Sequence, residues 1–129
     1  MCGGVRWELS GVPGAASYCH CRRCQRRSGT AASTQVRIRA EQLRILQGEE
    51  LVHAYRPPDG FEKLFCSTCG SALFSRHRDD PAVMSVRLGG FDDEPGFRPQ
   101  LHQHVASAAA WEALPEDGLP RYDGSPPSS

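Results

Sequence analysis

The chain has 129 residues, 39% of them hydrophobic, which suits one domain with an ordinary core. Its mean hydropathy of −0.48, with no run near the roughly 18 apolar residues that cross a bilayer, argues against a membrane protein. Fifteen basic and fifteen acidic residues cancel to a net charge of zero, which removes the usual electrostatic case for a nucleic-acid partner.

The first residues, Met1-Cys2-Gly3-Gly4-Val5-Arg6, lack the apolar core of a signal peptide, so the expected location is cytoplasmic. Val5, Trp7 and Leu9 alternate with polar neighbours, the period of a strand with one buried face, and Gly11-Val12-Pro13-Gly14 ends it. Alternation resumes over Thr34 to Arg39. Leu43 to Leu46 and Leu51 to Tyr55, parted by a turn at Gly48, continue a meander of short strands. Phe65 and Ala72-Leu73-Phe74 flank Cys66 and Cys69, which predicts a hairpin with those cysteines at its tip, and Ala82 to Leu88 adds another strand. Pro99 to Ala106 reads as the last strand. Ser107 to Leu114 reads as the one short helix, capped by Ser107 and stopped by Pro115. Thirteen glycines and ten prolines disfavour longer helices. The reading is therefore mainly β: short antiparallel strands and hairpins, one short C-terminal helix, a single domain over 1–122 and a disordered tail over 123–129. Phe61, Phe65, Phe74 and Trp111 are core candidates, with Trp7 on the inward face of the first strand.

Six cysteines without an export signal fall in a reducing compartment, where clustered thiols hold metal or do chemistry more often than they form disulfides. Cys66-Ser67-Thr68-Cys69-Gly70 is a zinc knuckle in which two intervening residues let both sulfurs face one ion and Gly70 permits the tight turn. Cys2 is the natural third ligand of that site, and the fourth is missing. Cys19-His20-Cys21-Arg22-Arg23-Cys24 places three thiolates close enough for a second zinc whose fourth position stays open for water or substrate. Three thiolates outweigh the ion's double charge, so exchange of a substrate thiolate onto the metal suits this site better than hydroxide generation. The alternative is that the six thiols divide otherwise and this cluster joins a purely structural site.

Residues 1–50 hold eight arginines against four glutamates, and 92–129 hold two arginines against seven acids. Arg22, Arg23, Arg26 and Arg27 would favour thiolates and an incoming anion, unless folding merely mixes these charges on a solvated surface. His20, inside the cluster, is expected to point away from it. His102 and His104 share one face of the last predicted strand and suit either a structural or an acid–base role.

Taken together, Cys2-Gly3-Gly4-Val5-Arg6-Trp7-Glu8, Cys19 through Gly29, Phe65 through Gly70, and the closing Pro99-Gln100-Leu101-His102, Trp111 and Leu119-Pro120-Arg121-Tyr122 resemble the glutathione-dependent formaldehyde-activating enzyme family, related to centromere protein V. The resemblance implies the Mss4-like fold, with a reactive zinc on Cys19, Cys21 and Cys24. It also implies a structural zinc on Cys66, Cys69 and an N-terminal Cys-x-Cys pair whose second member matches Cys2. The first member would fall one residue before Met1, so either the chain starts at an internal methionine or another ligand closes the site. An upstream extension restoring that cysteine is expected to raise thermal stability.

The implied activity is that of a carbon–sulfur lyase, joining glutathione and formaldehyde as S-hydroxymethylglutathione, with Arg22, Arg23 and Arg26 holding glutathione's carboxylates. A non-catalytic zinc module of the same fold is the reading from a different class. Neither nucleic acid nor membrane is expected as a partner.

Overall fold

Two β-sheets, one of seven strands and one of two, meet on a shared apolar face in the computed structural model, which describes residues 1–127. The strands are Arg6–Leu9 (β1), Ala16–Cys19 (β2), Ser33–Arg39 (β3), Leu43–Gln47 (β4), Val52–Tyr55 (β5), Glu62–Cys66 (β6), Ala72–Arg76 (β7), Val83–Arg87 (β8) and Leu101–Gln103 (β9). The one α-helix among the described residues is Arg22–Ser28 (α1). The large sheet runs β5-β6-β7-β8-β3-β2-β9, and β1 pairs with β4 alone. Every pairing is antiparallel except β2 with β9, which is parallel.

Period-2 alternation sorts the large sheet into an apolar and a polar face. The register aligns Leu64 with Phe74, Phe74 with Val86, Val86 with Val36 and Val36 with Ala16, so one row of buried side chains crosses five strands. The β1–β4 ribbon closes over this row, bringing Trp7, Leu9, Leu43 and Ile45 against it. Trp7 meets Phe74 edge-on at 5.7 Å between ring centroids and Phe91 at 4.9 Å, the arrangement that aromatic quadrupoles favour. The opposite face carries Lys63, Ser75, Ser85, Gln35, Arg87 and Ser17 at the intervening positions, and α1 lies across it: Arg27 reaches Ser75 Oγ at 3.0 Å.

The mainly β reading with a single short helix holds, but the helix lies elsewhere. Residues 107–114 form no α-helix: a 3-10 turn over Val105–Ser107 runs into a turn at Ala110 and Trp111. A two-turn helix is not stable without a face to bury, and Trp111, a core candidate from sequence, is 69% exposed. In the tail, the carbonyls of Asp123 and Gly124 accept hydrogen bonds from Ala106 at 3.3 Å and His104 at 2.9 Å, while 128–129 lie outside the described residues. Among the described residues no helix is long and apolar enough to cross a membrane.

Candidate metal centres

The knuckle forms as the hairpin between β6 and β7 turns. Cys66 ends β6 and is buried; its carbonyl accepts from Gly70 N at 2.7 Å, and its amide donates to Ser71 O at 3.0 Å. Gly70 takes φ +78°, a conformation that costs a glycine nothing. Cys2 comes to this turn because the backbone of Gly4 passes against Gly48, where any Cβ would collide with the Gly4 carbonyl. The sulfurs of Cys2, Cys66 and Cys69 lie within 4.8 Å of one another. Cys2 and Cys66 are 3.8 Å apart, which is about the edge of a tetrahedron with zinc–sulfur bonds near 2.3 Å. Hydrogen bonding with the Ser71 side chain and amide holds the Cys69 thiol down to about 5. The Gly4 amide favours the Cys2 thiolate, but bonds shared with Cys69 and Cys66 push Cys2 above its usual range. Three soft sulfurs at this spacing fit zinc, and among the described residues no fourth donor joins them.

The second centre lies on the polar face, where β2 passes into α1. Cys19 ends β2 and is buried; Cys21 is the N-cap of α1, its sulfur accepting from Cys24 N at 3.3 Å; Cys24 follows in the first turn. The helix ends cleanly because Gly29 adopts φ +70° and donates to Gln25 O at 2.8 Å. The three sulfurs again lie within 4.8 Å of one another. Hydrogen bonds from Cys19 and Cys21 drive the Cys24 thiol far down, helped by Ser33 and the Arg87 charge. Hydrogen bonds to Cys21 and Cys24, with burial, drive Cys19 up. Binding of a divalent ion by these thiols would release the protons they carry.

The cationic surroundings are those of α1 and the polar sheet face. Burial lowers Arg27 to about 10, and the Cys24 thiolate opposes that shift. Lys63 is likewise lowered by burial and held up by the Cys24 charge. Arg23 and Arg26 line a cavity of about 490 Å³ together with Arg27, Lys63, Tyr55 and Phe65. Arg23 is also bonded to the Asp59 carboxylate and, at 2.7 Å, to the Asp59 carbonyl. Arg22 stays off the cavity lining and donates to Gln25 Oε1 at 3.2 Å. Lys63 and Tyr55 carried no motif in the sequence; only the strand periodicity that sends Leu64 inward signals that Lys63 faces the other way.

His20 points away from the sulfurs, as expected: Cys19 and His20 are consecutive and so leave the extended chain on opposite faces. Its Nε2 lies 2.8 Å from His102 Nδ1, and His102 Nε2 lies 2.7 Å from Asp117 Oδ2. Burial, then the neighbouring His102, lowers the His20 pKa. His104 does not share a strand face with His102. It follows β9 in a left-handed conformation, φ 57°.

The profile of a family described as "Glutathione-dependent formaldehyde-activating enzyme" matches residues 1–107. No curated protein matches the chain at a significant level. Among solved structures, a Rhodobacter sphaeroides protein aligns with a TM-score of 0.58 at 27% identity, covering 76% of this chain and 86% of that one.

Proposed function

The chain belongs to the glutathione-dependent formaldehyde-activating enzyme family, and on that premise we propose that it catalyses reversible carbon–sulfur bond formation between glutathione, or a related thiol, and a small aldehyde, with zinc at both cysteine centres. The observation that supports this most is the second centre: three converging sulfurs on a polar face, whose charge is felt by Lys63, a residue that lines a cavity with Arg23, Arg26 and Arg27 extending to Gly70 and Ala72.

Cys19, Cys21 and Cys24 would hold the reactive zinc, and Cys2, Cys66 and Cys69 the structural one. Zinc held by Cys19, Cys21 and Cys24 would keep a substrate thiol deprotonated at neutral pH. Arg23, Arg26 and Lys63 pair with the two carboxylates of the tripeptide and set where its sulfur lies. The sulfur lone pair attacks the aldehyde carbon, a carbon–sulfur bond forms, the carbonyl π pair moves onto oxygen, and that oxygen takes the proton the thiol released. The product from formaldehyde is S-hydroxymethylglutathione. Reversal breaks the same bond and returns the thiol.

Zinc-loaded protein should accelerate the exchange between formaldehyde, glutathione and their adduct, followed by NMR line shapes, and Cys24→Ser should abolish that acceleration. Exchange no faster with the protein than without it would overturn the reaction. A non-catalytic zinc module would behave that way and would also show no response of its cobalt spectrum to glutathione.

A further inference from the structure

We propose that the hydrogen-bonded chain Asp117–His102–His20 is a positioning device for the Cys19, Cys21 and Cys24 centre and sets how tightly that centre holds its metal. The inference rests on the reading of the centre as a metal site.

Asp117 Oδ2 lies 2.7 Å from His102 Nε2. A carboxylate only accepts, so Nε2 carries a hydrogen, and in the neutral imidazole Nδ1 is then an acceptor for His20 Nε2–H at 2.8 Å. The stacked ring of Tyr18, 4.8 Å away and 18° from parallel, fixes the plane of His102. His102 is 1% exposed and His20 5%, so water does not compete for the bond between the two rings.

His20 is the residue between Cys19 and Cys21, and every polar group it has on the backbone is also engaged. Its amide donates to Gln103 O at 3.0 Å. Its carbonyl accepts from Gln25 Nε2 at 2.7 Å, and the same nitrogen donates to Ser107 O at 2.9 Å. Held at ring, amide and carbonyl, His20 leaves little freedom in the dihedrals that place the sulfurs on either side of it. The far end is equally fixed. Asp117 Oδ1 accepts from Leu119 N at 3.0 Å, and the following segment pairs with β9 through His102 N to Pro120 O and Tyr122 N to His102 O, both 2.9 Å. Asp117 lies beyond residue 107, where the family match ends. A late segment of the chain thus reaches back to order a centre formed by residues 19–24.

The test uses the full chain loaded with two zinc ions, or with cobalt(II), and a chromophoric chelator that reports each release. Cys24→Ser and Cys66→Ser identify which release belongs to which centre. Asp117 is 27% exposed at its side chain, so Asp117→Ala leaves the core intact. In Asp117→Ala the affinity of the Cys24 centre should fall about 10- to 100-fold, its sulfur-to-cobalt absorption should shift, and the Cys66 centre should stay as in the wild type. Asp117→Asn keeps an oxygen acceptor and should recover most of the loss. Folded Asp117→Ala with both affinities unchanged, equal loss from both centres, or no recovery in Asp117→Asn would each overturn the proposal. A wild-type protein that binds no metal at the Cys24 centre would instead remove the reading on which it rests.

Discussion

Arg27 donates from one nitrogen, Nη2, to two carbonyls on neighbouring strands, Leu64 O at 2.7 Å and Phe74 O at 3.0 Å. The ladder between β6 and β7 is irregular at this point, with Leu64 opposite Phe74 but Phe65 opposite Ala72. A bulge leaves strand carbonyls without their usual partners, and a guanidinium fork can serve several at once. The contact pins the helix that carries Cys24 to the hairpin that carries Cys66. Arg27→Ala should therefore cost about 1–3 kcal/mol, since it strands buried acceptors. Thermal melts should show a fall of roughly 3–10 °C. Arg27→Lys should recover only part of it, because an ammonium lacks the fork. A melt unchanged in Arg27→Ala would show that the sheet satisfies those carbonyls itself.

The two centres should respond differently to metal removal. Each centre has one buried sulfur, but Cys66 packs in the apolar core between the sheets, whereas Cys19 lies on the polar face outside that core; the exposed sulfur of Cys2 belongs to the Cys66 centre. Chelation should strip the Cys24 centre first with little loss of secondary structure. Loss of the Cys66 metal should then unfold the hairpin, because three converging sulfurs without their ion repel or must take up protons. Circular dichroism followed alongside zinc release checks the order. Simultaneous loss of both ions with cooperative unfolding would contradict it.

Gly48 offers a backbone test of the same centre. A Cβ there would collide with the Gly4 carbonyl, and φ +78° disfavours any side chain. Gly48→Ala should push the Cys2 arm away from Cys66, so its expected signature is weaker metal binding at the Cys66 centre and unchanged binding at the Cys24 centre. Chelator titration of the two sites separates these outcomes, and equal affinities in mutant and wild type would show that the arm accommodates the shift.

Much of this arrangement was legible in the sequence where a side-chain pattern has one physical cause. Val36 and Ile38 alternate with Arg37 and Arg39 on β3 because one face is buried, and the Cys66–Cys69 spacing with Gly70 forces a knuckle. The single helix was not legible, since its sequence, Arg22-Arg23-Cys24-Gln25-Arg26-Arg27-Ser28, has no apolar stripe. Its one buried residue is Gln25, and it packs on polar groups. β2 was missed for a related reason: Ala16-Ser17-Tyr18-Cys19 is nearly buried throughout, so it shows no alternation. The Asp117–His102–His20 chain joins residues up to 97 positions apart: the parallel pairing of β2 with β9 brings His20 to His102, and the bridge of His102 with Arg121 brings Asp117.

Glu62 gives a pH-dependent term with a definite sign. Its carboxylate lies 2.7 Å from Arg76 Nη2 and 3.1 Å from Arg56 Nε, and its side chain is 14% exposed. The Arg76 hydrogen bond, then the charges of Arg76 and Arg56, hold its pKa below the ordinary value of 4.5. A carboxyl lowered on folding contributes stability that is present above its unfolded pKa and is lost as pH falls through the folded one. Glu62→Gln should melt roughly 2–5 °C below wild type near neutrality. The two curves should converge as pH drops below 4.5, where wild type loses the same pairing. A gap that persists in acid would mean that packing, not charge, is what the substitution removes.

The cavity lined by Arg23, Arg26, Arg27 and Lys63 sets the last expectation. Arg26 and Lys63 both line it, and Lys63 remains sensitive to the Cys24 charge. If they pair with glutathione's carboxylates, Arg26→Met and Lys63→Met should each raise KM for glutathione about tenfold, the equivalent of about 1.4 kcal/mol. kcat should change little, because these contacts exist before and during bond formation alike. The effect should shrink as ionic strength rises. A neutral thiol such as 2-mercaptoethanol offers no carboxylate, so its rate constants should be the same in wild type and both variants. That comparison is decisive: a similar loss with the neutral thiol would mean that the cations support the sulfur cluster itself and do not recognise the tripeptide.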